Sequence, residues 1–314
     1  MKKWFVWLLV ILILTLSCIY LLIPSKIVLS GITAAQCTLS GEFRFLSNTE
    51  KWEKWWLDSD GKRHVKGEPF IYNGSSFRLT GHSMNVVGIE IENNGIILQS
   101  VLHLVSFKPD STVAVWQCEF PKSMNPLKRI MYFENASEIR KNITGVLKNF
   151  ASFISHPKNV YGISIFLMTV RDSTMLSARF TSAAYPTTTD LYGYFDVLKK
   201  SIQKQKGTVT SYPMTNVIKL ENDSFETQVA IPTGQRLQND GKITFKRMVP
   251  GNFLTAEVRG GSYTVNEAMR QLELFISDYN RFKIANRFQS LVTNRLEEPD
   301  TLKWITNIYI PVVK

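Results

Sequence analysis

The residues able to do chemistry in this 314-residue chain are few and dispersed. His64, His82, His103 and His156 fall into no HxxxH or HExxH spacing and the three cysteines form no CxxC, so the pattern implies neither a metal site nor a cofactor. No G-x-S-x-G elbow presents a serine nucleophile. No glycine-rich loop is arranged to hold phosphate, and Gly260-Gly261 reads as a strand-to-helix turn. What does cluster is aromatic: Trp52, Trp55 and Trp56 in one short run, with Trp116 on a later strand. Two roles fit them. Trp56 and Trp116 would line an apolar ligand cavity, or all four would pack in a core, since tryptophan is largely buried in either setting.

Such side chains need elements to position them, and the first element is membrane-like. Trp4 to Ile23 is an uncharged apolar run about 30 Å long as a helix, the thickness of a bilayer hydrocarbon core. Lys2 and Lys3 precede it, which places the N-terminus in the cytoplasm and the rest outside, as a single-pass protein of a bacterial inner membrane with extracytoplasmic domains. A cleaved signal peptide and a lipoprotein signal at Ser17-Cys18 are the rival readings; the first expects a shorter apolar region and the second an apolar run that stops at the cysteine. The chain carries 37 Lys and Arg against 26 Asp and Glu, a charge of +11. The excess is spread: 16 basic against 12 acidic residues in 24–160, and 19 against 14 in 161–314. No concentrated basic face or helix-turn-helix emerges, so nucleic acid is not an expected partner.

Beyond the apolar run, strand-like segments are expected at 32–40, 76–82, 86–92, 95–107 and 111–120, separated by turn signals such as Asn73-Gly74 and Asn93-Asn94-Gly95. The period then changes: Ile139, Ile143, Val146, Phe150 and Phe153 recur at helical spacing, with Asn135 and Glu138 read as the N-terminal cap and His156-Pro157 as the stop. The second half contains a weak repeat. One helix starts at a Thr187 and Asp190 capping box and stops at Gly207, and a second starts at a Thr264 and Glu267 box. Each is preceded by a strand (174–184; 242–259) and followed by two, and the last strands end alike, Val229-Ala-Ile-Pro232 and Ile308-Tyr-Ile-Pro311. Two such units would pair their sheets about a pseudo-two-fold axis, because neither buries its apolar face alone.

Val229-Ala-Ile-Pro232, Met248-Val-Pro-Gly251 leading into Glu257-Val-Arg-Gly-Gly261, and the closing Trp304-Ile-Thr-Asn-Ile-Tyr-Ile-Pro311 make residues 160–314 resemble the GyrI-like effector-binding domain, the ligand-sensing module of bacterial multidrug-responsive transcription activators. Residues 30–157, through Trp52-Glu-Lys-Trp-Trp56 and the long terminal helix, resemble the START-like (SRPBCC) helix-grip fold shared with polyketide cyclases. The expected fold class is therefore α+β: a transmembrane helix at 4–23, a helix-grip antiparallel sheet domain, and a duplicated strand-helix-strand-strand effector-binding domain. The resemblance also implies a site. GyrI-like domains commonly carry a buried glutamate in a Phe-Glu-x-Tyr run on the penultimate strand, where this chain has Phe288-Gln289-Ser290-Leu291. Gln289 hydrogen-bonds but holds no charge and is no general base, so cation binding and hydrolysis are not directly inherited. Tyr263, Trp304 and Glu257 would then form the pocket at the repeat junction, Glu257 serving as substitute acid or merely pairing with a surface cation. In the helix-grip fold the strands carrying Cys37 and Cys118 are neighbours, so outside the cytoplasm the two would be bonded, or they are two buried thiols.

These readings imply a membrane-anchored protein that binds or senses a small apolar or amphipathic ligand without a DNA-binding module. The alternative is a hydrolase or cyclase acting on a hydrophobic substrate, for which no convergent acid, base and nucleophile is legible.

Overall fold

The computed structural model describes residues 3–170, 173–248 and 250–313; of the sequence features above, Lys2, Val249 and Lys314 lie outside them. Its contacts separate into two compact units, Met1–His156 and Pro157–Lys314. The protein is mixed α+β, with an apolar N-terminal helix and two curled antiparallel sheets.

The first unit opens with α1 (Lys3–Leu22), on which no side chain is buried. It is the one helix among the described residues that is long and apolar enough to cross a membrane. β1 (Val28–Ala35) follows, then α2 (Leu39–Leu46), α3 (Thr49–Trp55), β2 (Phe70–Tyr72), β3 (Ser75–Ser83), β4 (Val86–Asn93), β5 (Ile96–Lys108), β6 (Ser111–Glu119) and α4 (Pro126–Ile154). The first strand thus ends earlier than expected, because the Thr38 hydroxyl accepts from Gly41 N–H and caps α2 inside the segment read as strand. The strand order β1-β6-β5-β4-β3-β2 leaves β1 and β2 as edges and wraps the sheet on α4. Alternation does the sorting: Val87, Ile89 and Ile91 of β4 and Leu98, Leu102 and Leu104 of β5 are buried, as are Ile139, Ile143, Val146 and Phe150 of α4. β1 approaches α4 so closely that a Cβ on Gly31 would stand 2.7 Å from Ile143 Cγ2, so only glycine fits.

The long helix starts ten residues earlier than its periodicity indicated: Asn125, not Asn135, is the cap, its side chain accepting from Leu127 and Lys128 N–H, with Pro126 in the first turn. Exposed Leu127, Met131 and Phe133 blur the apolar stripe there. Asn135 instead ties the helix to a hairpin turn, donating to Met131 O and accepting from Asn94 Nδ2. Of the two readings of Cys37 and Cys118, the structure has the two buried thiols. β1 and β6 are neighbours, but the register sets Cys118 opposite Leu29 and Thr112 opposite Ala35, with Thr112 Oγ1 donating to Cys37 O. The two cysteines therefore sit at opposite ends of the strand pair, about 20 Å apart at a strand's rise per residue, where a bridge needs about 7 Å or less.

The second unit contains α5 (Pro157–Tyr161), β7 (Phe166–Val170), β8 (Thr174–Ser182), α6 (Thr188–Lys204), β9 (Met214–Lys219), β10 (Phe225–Thr233), β11 (Thr244–Arg247), β12 (Gly251–Arg259), α7 (Ser262–Asp278), β13 (Phe282–Lys283), β14 (Phe288–Leu291) and β15 (Ile305–Val313). Its strand order is β11-β8-β10-β9-β14-β15-β12-β7, with β13 against β15. The central run reads as a palindrome: β8-β10-β9 from the first repeat meets β14-β15-β12 from the second. Registers match too, Pro232 facing Met175 and Pro311 facing Phe253. The segment 242–259, expected as a single strand, is two. Pro250 separates β11 from β12, and β11 crosses to the first repeat's β8 while β7 crosses to the second repeat's β12.

The helix ends differ between repeats. Thr187 and Asp190 form the expected capping box on α6. At α7 Gly261 is the cap, with no side-chain hydrogen bond, and Glu267 is held by Arg270 and Gln271 instead, so the second box does not form. α6 closes through Lys206 in the left-handed region, with Gly207 N–H donating to Ile202 O.

Candidate functional site

Strand alternation divides the second sheet into two faces. One packs beneath the helices: Leu176, Val229 and Ile231 under α6, and Leu254, Ile308 and Ile310 under α7. On the other face lie Met175, Met214, Ala230, Phe253 and Phe288, all but Phe288 buried. The curl of the sheet brings these strands around a cavity of about 260 Å³ that Met248 also lines. Both repeats contribute: Met175 and Phe253 are the symmetry-related partners of Pro232 and Pro311. Phe288 stacks on Tyr309 with ring centroids 4.9 Å apart and meets Phe253 edge-on at 6.1 Å, which fixes an aromatic wall.

The polar lining consists of Thr215, the amides Asn216, Gln228 and Asn286, and the cations Lys246, Arg247 and Arg287. No histidine, cysteine or carboxylate lines the cavity among the described residues. Gln228 is fixed from both sides, donating to Ser177 Oγ at 3.0 Å and accepting from Arg179 Nη2 at 3.3 Å. Beyond Asn286 and Arg287 the cavity adjoins a polar groove walled by Lys219, Lys283 and Glu273. There Glu273 accepts from Lys283 Nζ at 2.9 Å and pairs with Arg287 at 3.4 Å. The arrangement offers a ligand a soft methionine and aromatic bed, oriented amides and positive charge.

None of the candidate ligand-binding residues read from the sequence lines this cavity, although Met248, Phe288 and Pro311 of the quoted motifs do. Gln289 pairs across the sheet with Ile308, and Leu291 with Thr306, so both lie on the helix-facing side, where Leu291 joins the core under α6. It is Phe288, one residue earlier, that reaches the cavity. Glu257 shares the face of Phe253 but lies exposed, opposite Asn307. Tyr263 is 86% exposed in the first turn of α7. Trp304 is engaged elsewhere: the Arg295 guanidinium lies 4.6 Å from its ring centre, and its Nε1 donates to Glu298 O. Arg295 is itself held by Thr306 Oγ1, and its backbone N–H donates to the Tyr192 hydroxyl. Burial holds that guanidinium below the usual arginine range.

Trp56 and Trp116 resolve to the core of the first unit. Trp52 and Trp56 stack at 5.4 Å, Phe77 bridges Trp56 to Trp116, and Trp55 meets Phe150 of α4. Trp52 Nε1 donates to Leu46 O, Trp56 Nε1 to Ile71 O and Trp116 Nε1 to Ser100 Oγ. Those rings fill the space that a ligand would need. The methionines of this cavity, Met175 on β8, Met214 on β9 and Met248 just after β11, are present in the sequence, but their separation along the chain has no spacing that reveals them.

Fold and cavity together define an α+β protein whose second unit carries a half-open cavity on the curled face of its sheet. No family model matches the chain, and no curated protein matches its sequence. Solved structures resemble about half of the chain at low identity. The C-terminal domain of EcmrR is 17% identical, covers 48% of this chain and 98% of its own, and has a TM-score of 0.42. A hydrolase from Listeria innocua is 6% identical over 48% of this chain and 92% of its own, TM-score 0.38. SAV2435, bound to tetraphenylphosphonium, is 15% identical over 48% and 94%, TM-score 0.32.

Proposed function

We propose that the protein is a membrane-anchored binder or sensor of a small apolar or amphipathic molecule. α1 is its single anchor, both units lie on the outer side of a bacterial inner membrane, and the ligand occupies the cavity on the curled face of the second sheet. The observation that carries this reading is the cavity itself: about 260 Å³, walled by Met175, Met214, Phe253 and Phe288 from both repeats. Apolar side chains facing a void on an otherwise close-packed sheet forgo contacts that a ligand would restore. The first unit serves as a packed helix-grip scaffold between anchor and sensor.

Binding is tested on the full chain in lipid nanodiscs by thermal shift against a panel of lipophilic and amphipathic small molecules. A ligand at 100 times its Kd stabilises the unit it occupies by about 2.7 kcal/mol. Ala230→Trp, which fills the cavity from its buried floor, abolishes that shift; a shift that survives it removes the cavity from the account. For topology, alkaline phosphatase fused after Val313 is active when the second unit is outside, and an inactive fusion refutes that placement.

A further inference from the structure

The charge of the cavity points to a class of ligand. Lys246, Arg247 and Arg287 line it and no carboxylate does among the described residues, although Arg287 is paired with Glu273 of the adjoining groove. Lys246 is the central one. It faces Met175 across the β11–β8 pair, which puts it on the cavity side of the sheet, and it is half-buried there. No ion pair or hydrogen bond engages its ammonium among the described residues; the nearby carboxylate of Glu226 is taken by Arg179 at 3.5 Å. Burial in the wall, together with Arg179, holds Lys246 below the usual lysine range, with Glu226 acting the other way. A cation kept in a partly desolvated wall with no direct ion pair or hydrogen bond is stabilised by an anion brought into the cavity.

Resting on the reading of this cavity as the ligand site, we infer that its ligand is an amphipathic anion. The apolar body lies on Met175, Met214, Phe253 and Phe288, and a carboxylate, sulfate or phosphate head meets Lys246, with Gln228 and Asn216 beside it. The selectivity is the reverse of that of a site built around a buried glutamate. Position 289 does not decide it, since Gln289 is on the opposite face of the sheet; the sign is set by β11, the strand that crosses from the second repeat to the first.

The test uses three isosteric probes, 2-naphthoate, 2-naphthamide and 2-naphthylmethylammonium, with the full chain in nanodiscs and empty discs subtracted, read by equilibrium dialysis. Naphthoate is expected to bind about tenfold more tightly than the ammonium probe, equivalent to ~1.4 kcal/mol, and the advantage shrinks as salt is raised. Lys246→Gln brings the Kd of naphthoate to that of naphthamide and leaves naphthamide where it was, which also reports that the variant is folded. If naphthamide binds and is blocked by Ala230→Trp, while naphthoate has no advantage or keeps its advantage in Lys246→Gln, the anion inference is overturned and the ligand site stands. If naphthamide binding is absent or indifferent to Ala230→Trp, the ligand site falls and the inference with it.

Discussion

Glu42, on α2 of the first unit, is 1% exposed and neither carboxyl oxygen has a hydrogen-bond partner. Burial alone pushes its pKa from 4.5 to about 8. Between those values the folded chain keeps a proton that the unfolded chain has released, so the stability contributed by the neutral carboxyl is complete at low pH and is lost as pH rises toward about 8. At about 1.4 kcal/mol per unit of pKa, the interval bounds the loss at about 5 kcal/mol. Glu42→Gln is uncharged at every pH and removes that slope. Urea unfolding of the full chain in detergent, followed by tryptophan fluorescence, is suited to the measurement, because Trp52, Trp55, Trp56 and Trp116 are buried in the same unit. The wild type should lose several kcal/mol relative to Glu42→Gln between about pH 5 and about pH 8. Parallel stability curves for the two proteins would refute the reasoning.

Other expectations follow from the same packing. Burial pushes the Cys118 thiol up to about 12, so iodoacetamide near neutral pH should leave it unmodified in the folded chain and alkylate it after denaturation, and mass spectrometry should find no Cys37–Cys118 bridge. Thr187→Ala removes the α6 cap and should lower stability by about 1 kcal/mol, whereas Thr264→Ala, with no capping box to lose, should cost under about 0.5 kcal/mol in the same urea assay. Leu272→Ala, at a fully buried position of α7, should cost about 2–5 kcal/mol. Gln289→Glu should leave the probe preferences of the cavity unchanged, because the side chain faces the helices; acquired affinity for naphthylmethylammonium would show the strand parity to be misassigned.

Much of the architecture was legible because it rests on local periodicity. An uncharged run long enough for a bilayer, strands broken by Asn-Gly turns, a helical stripe through Ile139 to Phe150, and two matched strand endings each leave a signature within a few turns of chain. Where local signals were misread, a neighbour had overridden them. Asn135 has the chemistry of a cap yet serves a hairpin turn; Thr264 and Glu267 have the spacing of a capping box, but Arg270 and Gln271 take the glutamate. A continuous apolar-polar pattern across 242–259 hid the fact that Pro250 sends β11 to the far end of the sheet.

The site was not legible in the same way, because its residues converge only through registers. A strand alternates faces with each residue, so a shift of one position exchanges cavity for core: Phe288 lines the void while Gln289 and Leu291 pack beneath the helices. Trp56 and Trp116 carry the composition of a ligand pocket, but stacking on their own neighbours leaves them no free face. The sequence by itself determined the apolar helix, the two sheets and the internal duplication of the second, since those follow from spacing along the chain. Only the tertiary structure decided where the void lies and what charge faces it, because Met175, Met214, Phe253 and Lys246 are brought together by the curl of the sheet and the crossing of β11, both long-range pairings with no trace in any local window.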